Sequence, residues 1–518
     1  MKKSVQFNKA SFFKVLLLSA LLIASGTLHA VETQKSPEFW PTQGWRTSTP
    51  EKQGVDSEKL ADMLERIKKQ NVNIRSVAVI RNGHLLCDAR FHPFTQDSWH
   101  IIHSCTKSIT SALIGIAVDK GLIDGVNTPV LEFFPEKKAA NLDENKKGMT
   151  LEHLLTMSSG LKARDSYLYN WEGLRKMRAS SDWIQYMLDL PMAHAPGTKF
   201  EYINGVSFLL SAVLQQTTGE NAFAFAKKNL FGPLGIREVD WPSNPQGITI
   251  GWGEMRMKPL DMAKIGYLYL NKGVWEGKQV ISSAWVEAST REQIKPKTLA
   301  EGYGYQWWVD EAGYYMALGY SGQYIVVLPK QNMVVVFTSA LNAFNFFVPE
   351  LLLKNYILPA AESSVPLPDN PEGEKRLQSV LYAISHPETS PVPALPEIAQ
   401  KVSGKTYVFD NNPMDLKSIS LDFGSKKDEV ILSLSYRGRN FQVPVGLDNV
   451  YRLTKALGYL RAYKGSWEDD NVFFIDYQIV DHSVRGKIRL TFEEDKVTFL
   501  HREEVNGSSN KLTARLRD

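Results

Sequence analysis

The run His100-Ile-Ile-His-Ser-Cys-Thr-Lys-Ser-Ile-Thr-Ser-Ala-Leu-Ile-Gly-Ile-Ala-Val-Asp119 organises the reading of the whole chain. After Ser104 the apolar residues Ile109, Leu113, Ile116 and Ala117 recur at helical spacing, with small Ala and Gly between them. The spacing predicts a buried helix whose first turn carries Ser104 and Lys107. Residues three apart on a helix share a face, so hydroxyl and amine point into one space. A serine is a poor nucleophile at its own pKa and needs a base within hydrogen-bond reach. A lysine can be that base only where burial or a cationic neighbour lowers its pKa. The unpaired N–H groups of a helix start also favour a developing anion. Ser-x-x-Lys recurs at Ser11, Ser159 and Ser508, so the spacing alone does not single out Ser104. The apolar helix behind it does, together with two motifs further along the chain.

Upstream, Leu60, Met63, Leu64 and Ile67 fall on one face of an amphipathic helix. The stretch from Ser76 to Cys87 reads as strand, Asn82-Gly83 turn, strand. Downstream to residue 240 the pattern is mostly helical. Thr150 caps a short helix expected to end at Gly160, and a Pro196-Gly197 turn introduces Tyr202-Ile-Asn204 before a buried helix from Val206. Helices are also expected at Asp261 to Leu270 and Trp285 to Ser289. Strand patterns return at Tyr303–Val309, Tyr314–Leu318, Tyr324–Leu328 and Met333–Phe337. Strands at both ends with helices between predict an α+β domain whose sheet joins early and late segments.

From Glu362 the composition changes. Pro366, Pro368, Pro371, Pro387, Pro391, Pro393 and Pro396 mark a stiff Pro-rich linker, 363–396, with one helix-like run from Glu374 to Ile384. Beyond it, 397–518 alternates short strands with Gly, Asn and Asp turns, the pattern of an antiparallel barrel or sandwich.

Length and a hydrophobic content of 43% allow a large core and more than one domain. The formal charge of +4 is supplied entirely by Lys2, Lys3, Lys9 and Lys14, which leaves the remainder neutral and gives nucleic-acid binding no electrostatic support. Those lysines precede the apolar run Val15 to Ala24 and a small residue at Ala30, so residues 1–30 read as a secretory signal peptide. An apolar core of about ten residues falls short of the ~20 that span a bilayer, and no later segment is long enough. The expected location is therefore periplasmic or secreted. Cys87 and Cys105, the only cysteines, allow two readings in an exported chain: a disulfide, or two small buried hydrophobes. His100 and His103 flank the helix start without a further ligand cluster, so no metal is expected, and nothing points to a cofactor.

Two later motifs complete the candidate site. A tyrosine such as Tyr202 beside a cationic lysine can act as a phenolate-like base. Leu318-Gly-Tyr-Ser-Gly-Gln323 joins two strands, and its glycines permit close backbone approach, so a backbone N–H there could complete an oxyanion hole with that of Ser104. Ser104-x-x-Lys107, then Tyr202-x-Asn204, then Tyr320-Ser321-Gly322 resembles the ordered motifs of the serine β-lactamase and penicillin-recognising superfamily. Met149 to Leu161, Pro196-Gly-Thr-Lys-Phe200, Leu230 to Ile236 and Lys258 to Gly266 are also similar to its class C branch, and the likeness spans roughly 45–360. It is nearest to 6-aminohexanoate-dimer hydrolases and esterases of that fold. The resemblance implies a β-lactamase-like sandwich over 31–362, followed by a lipocalin-like barrel at 397–518 whose partner the sequence does not reveal. It further implies an acyl-serine mechanism at Ser104 with Lys107 and Tyr202, while Asn204, Tyr320, Ser321, Gly322 and Gln323 position the substrate or oxyanion. Tyr320 stands where those enzymes carry a lysine that holds a substrate carboxylate, which favours small-molecule esters or amides over β-lactams. Arg256 is a candidate to replace that charge in space. The alternatives are a β-lactamase or D-amino-acid peptidase and, from another class, a non-catalytic binding or scaffold protein that kept the pocket.

Overall fold

A computed structural model of the chain describes residues 37–165, 171–297, 300–493 and 495–517; the expected signal peptide, 1–30, lies outside them. The α+β sandwich is present. Its sheet has eight strands: β1 (Arg46–Thr47), β2 (Ile74–Arg81), β3 (His84–Arg90), β4 (Gly302–Tyr303), β5 (Trp308–Val309), β6 (Tyr315–Gly319), β7 (Gln323–Leu328) and β8 (Met333–Ser339). Their order is β1-β3-β2-β8-β7-β6-β5-β4, antiparallel except for the β1–β3 pair, so early and late segments meet at β2–β8 with Val79 opposite Val335. Asn82 and Gly83 both take positive φ in the turn between β2 and β3, as the Asn-Gly pair requires. Every residue of β2, β7 and β8 is buried, as expected of strands covered on both faces.

The helices that cover the sheet and frame the site are α1 (Ser57–Lys69), α2 (Cys105–Asp119), α3 (Leu151–Leu155), α4 (Glu172–Ala179), α5 (Asn204–Thr218), α6 (Pro259–Leu270) and α7 (Ser283–Thr290). Helix α2 is buried at every position from Cys105 to Ala117. Its interior hydroxyls are matched to carbonyls: Ser108 Oγ donates to Gln306 O at 2.7 Å and Thr110 Oγ1 to Gly251 O at 2.8 Å.

Gln306 explains two departures from the sequence reading. The expected strand Tyr303–Val309 is split into β4 and β5, with Gln306 at φ +65° between them. Its buried amide Nε2 donates to the carbonyls of Leu154 and Leu155, which end α3 five residues before Gly160. Its Oε1 accepts from Ser207 on α5 at 2.7 Å. One polar side chain thus ties α3 and α5 to the sheet edge.

Cys87 and Cys105 are free and buried, which corrects the disulfide reading. Cys87 lies on β3, whereas Cys105 Sγ donates to Ala317 O on β6 and Gln323 O on β7, both at 3.4 Å. Strands β3 and β7 are three inter-strand steps apart, roughly 14 Å, beyond the ~7 Å between Cα atoms that a disulfide spans.

The Pro-rich segment carries α8 (Pro371–Ser385), capped by Asn370 and laid along α1, where Arg376 meets Asp62 at 2.7 Å and Glu65 at 2.8 Å. Ten strands complete the chain: β9 (Thr406–Phe409), β10 (Leu416–Lys426), β11 (Glu429–Tyr436), β12 (Arg439–Gly446), β13 (Arg452–Ala456), β14 (Tyr459–Asp469), β15 (Val472–Ile479), β16 (Arg485–Glu493), β17 (Lys496–Glu503) and β18 (Ser509–Leu516). A parallel contact between β12 and β14, Gly446 opposite Lys464, closes nine of them into a barrel and leaves β13 outside the ring. Residues Phe39–Asp518 form one compact unit, so the barrel is not a tethered appendage. No helix of the described residues is long and apolar enough to cross a membrane.

Gly115 lets α2 lie directly against α7: an added Cβ would stand 2.5 Å from the Trp285 indole. Gly115→Ala is expected to cost about 1–3 kcal/mol by overpacking, read as a lowered midpoint in urea denaturation with an unchanged m-value.

Candidate active site

Ser104 takes αR backbone angles immediately before α2, and Lys107 lies one turn on. Lys107 is only 1% exposed. Its Nζ has three neighbours: Asn204 Oδ1 at 2.8 Å, Trp252 O at 2.9 Å and Ser104 Oγ at 3.0 Å. Two of these can only accept. A neutral amine spends its two N–H bonds on Asn204 and Trp252, which leaves its lone pair facing the Ser104 hydroxyl. Burial lowers this amine from the usual lysine range to about 7, against the negative charge of Asp165, which favours the ammonium form. At neutral pH a large share of Lys107 is therefore uncharged and able to take the serine proton.

The Asn204 amide is held the right way round by Asp165. That buried carboxylate accepts the Asn204 backbone N–H at 2.7 Å and also its side-chain amide, so Oδ1 must face Lys107. Asp165 was not legible as a site residue, being a single acid 39 positions from its partner with no motif around it. Burial raises its carboxyl above the usual range.

Tyr202 shares a hydrogen bond with the Ser104 side chain, stacks on Trp308 at 6.1 Å and lies with its ring centroid 4.8 Å from Lys107 Nζ. Burial pushes its phenol well above the ordinary range, and the Ser104 hydrogen bond only partly offsets this. The phenolate expected beside a cationic lysine is therefore not the resting form. Lys107 is the group poised as base, and Tyr202 is a protonated phenol able to pass a proton on.

The third motif forms the turn between β6 and β7. Tyr320 lines the cleft and meets His103 edge-on at 5.5 Å. Ser321, at φ +63°, is 1% exposed, and its buried Oγ has no hydrogen-bond partner among the described residues and does not reach the cleft lining. Gly322 sits at φ +84° where an added Cβ would press within 2.8 Å of Leu341. The Gln323 side chain folds under the turn, donating to Ser339 O at 2.7 Å while Ser339 N donates back at 3.3 Å. This side chain builds the turn, so any oxyanion contact at this position must come from the backbone.

The cleft encloses about 610 Å³ and contains Ser104 and Asn204. Its aromatic walls are Trp171, Trp252 and Tyr320. Trp307 and Trp308 lie behind the cleft: Trp307 packs on Tyr269 at 4.5 Å in the core, and Trp308 backs Tyr202. Arg256 is not the replacement cation either, because it is bound to Asp240 at 2.6 Å and Asp481 at 3.4 Å. The cations in the cleft wall are Arg175 and Arg178 of α4, the second paired with Glu254 at 3.1 Å. Only folding brings them there.

The barrel reaches this site through the turn between β15 and β16. The guanidinium of Arg75, buried on β2, donates to the carbonyl of His482 at 2.6 Å and also to those of Val480, Ile479 and Val484. Ser483 Oγ lies 2.6 Å from Nε2 of His103, the residue before Ser104, held at φ +46°. Asp481 takes Arg256. Burial lowers His103 to about 3, so it is a neutral wall of the cleft.

A family model described as beta-lactamase matches residues 61–353, more than half the chain. The chain is 23% identical over 301 residues to the 6-aminohexanoate-dimer hydrolase of Paenarthrobacter ureafaciens, covering 54% of this chain and 75% of that protein. It is 24% identical over 231 residues to Esterase EstB of Burkholderia gladioli, covering 40% and 58%. A solved structure of a putative 6-aminohexanoate-dimer hydrolase from Bacillus anthracis superposes with a TM-score of 0.52 at 20% identity, covering 65% of this chain and 92% of that one, which is a likeness of fold.

Because the Lys107 amine loses its proton above about 7, the rate of fluorophosphonate labelling should rise with pH through that value and then level. Lys107→Arg keeps the charge and removes the base; its labelling should be slower by about 10²-fold or more and show no inflection near 7.

Proposed function

The chain belongs to the beta-lactamase family, and from that premise we propose that it is an exported serine hydrolase cleaving esters or small amides through an acyl-Ser104 intermediate. The carrying observation is the Lys107 amine, whose two N–H bonds are pinned by Asn204 and Trp252 so that its lone pair faces Ser104 Oγ at 3.0 Å. As Ser104 Oγ bonds to the substrate carbonyl carbon, its proton passes to Lys107. The carbonyl oxygen becomes an anion held by the backbone N–H groups of Ser104 and Gln323, contacts typically worth about 10²–10³ in rate. Collapse breaks the bond to the alcohol or amine, which leaves with a proton handed on by Tyr202 and replaced from Lys107. Water, deprotonated by the same amine, then bonds to the acyl carbon; the bond to Ser104 Oγ breaks, the acid departs and Lys107 returns the proton to Oγ.

Tyr320 in place of the motif lysine supports neutral esters, as do relatives named as an esterase and a 6-aminohexanoate-dimer hydrolase. A second reading, action on β-lactams or D-amino-acid peptides, is favoured by Arg175 and Arg178, which keep cationic charge in the cleft wall. The lysine-led apolar start of the chain supports periplasmic or secreted placement.

Ser104→Ala should abolish both ester turnover and phosphonate labelling; labelling that survived would move the nucleophile elsewhere. On the parent protein, kcat/KM for p-nitrophenyl butyrate should exceed that for a chromogenic cephalosporin. The opposite order would transfer the assignment to the second reading.

A further inference from the structure

The barrel is filled in one half only. Trp467, Phe473, Leu490 and Phe492 pack together at one end, with Trp467 and Phe473 rings 5.1 Å apart and Trp467 and Phe492 6.0 Å apart. The other half holds a cavity of about 620 Å³, within the ~300–1,000 Å³ range of small-molecule sites. Its apolar walls are Leu434, Phe441, Ile488 and Phe499. A closed barrel of this size has room for either packed side chains or one small ligand, and here half the lumen is left to the second.

Charge is distributed unevenly around that cavity. Arg437 and Arg439 stand exposed at the turn between β11 and β12, and Arg461 enters from β14. Arg461 is oriented by donating to Ala456 O at 3.1 Å and by a hydrogen bond with Tyr463, and Arg437 lies 5.1 Å over the Tyr436 ring. Arg439 makes no side-chain hydrogen bond or ion pair among the described residues. Against three guanidiniums stands one lining carboxyl, Glu503, which accepts from Asn506 at 2.8 Å and which burial shifts toward its neutral form. The two lining imidazoles add no charge at neutral pH, since burial lowers both; His501 is hydrogen-bonded to Tyr477 at 2.8 Å.

We propose that the barrel lumen is a binding site for an organic acid, its acyl or aryl body in the apolar chamber and its carboxylate at the Arg437, Arg439 and Arg461 rim. Guanidinium forks match carboxylate geometry and are more weakly hydrated than ammonium groups, which suits them to a half-dry rim. The chamber and the catalytic cleft share one wall: His482 lines the chamber, and its ring meets that of His103, which lines the cleft, at 6.1 Å. The assignment rests on the barrel alone and is independent of the hydrolase reading.

Isothermal titration of the full chain with decanoate, decan-1-ol and decyltrimethylammonium tests it. Decanoate should bind at one site per chain, and the cation should bind at least about tenfold more weakly. Arg439→Glu, at an exposed position, should weaken decanoate by about tenfold or more while p-nitrophenyl ester turnover is unchanged. Ile488→Trp, which fills the chamber, should remove binding. No decanoate binding, equal affinity for the cation, or an Arg439→Glu protein that titrates like the parent would each overturn the proposal. If Ile488→Trp does not fold, the Arg439 variant decides alone.

Discussion

Everything at the candidate active site depends on one amine taken out of water. Lys107 is enclosed on the first turn of a helix that is itself buried, and the enclosure disfavours its charged form. Burial alone would give a base without direction. Direction comes from two fixed acceptors, the Asn204 amide oxygen and the Trp252 carbonyl, which between them use up the hydrogens of the neutral amine. Asp165 in turn fixes the amide, and Gln306 ties the helix that carries it to the sheet edge. The order of causes runs from core packing to the proton affinity of Lys107 to the hydrogen bond at Ser104 Oγ.

The same burial assigns different roles to neighbouring groups. It lowers Lys107 and raises Tyr202, so the base and the proton donor are separated by environment although their hydroxyl and amine converge on one serine. A pair of titratable groups pushed in opposite directions can both accept and return a proton during a two-step acyl transfer.

The barrel belongs to this arrangement physically. A buried guanidinium must find acceptors, and Arg75 finds them in the carbonyls of a turn about four hundred residues later in the chain. That turn places Ser483 on His103, directly before Ser104. Separating barrel from sandwich would strip Arg75 of these carbonyl acceptors and the left-handed His103 of its Ser483 contact. The segment with linker composition is likewise drawn into the structure, because α8 has an apolar face to bury and Arg376 to pair with α1.

The sequence by itself determined the elements whose signal is local. The period of Ile109, Leu113 and Ile116, the Asn82-Gly83 turn, and the spacings Ser104-x-x-Lys107 and Tyr202-x-Asn204 are written within short windows, because helices, hairpins and motif spacings are short-range constraints. Only the tertiary structure decided which cations and rings face the cleft, that Cys87 and Cys105 lie too far apart to bridge, and that Asp165, Gln306 and Ser483 hold the site. Those facts depend on strand order and on which buried polar group finds which partner. Such pairings join residues tens to hundreds of positions apart and leave no periodicity for a sequence to display. The Lys107 base is the clearest case: its spacing from Ser104 is local, but its proton affinity is set by the enclosure that the whole fold provides.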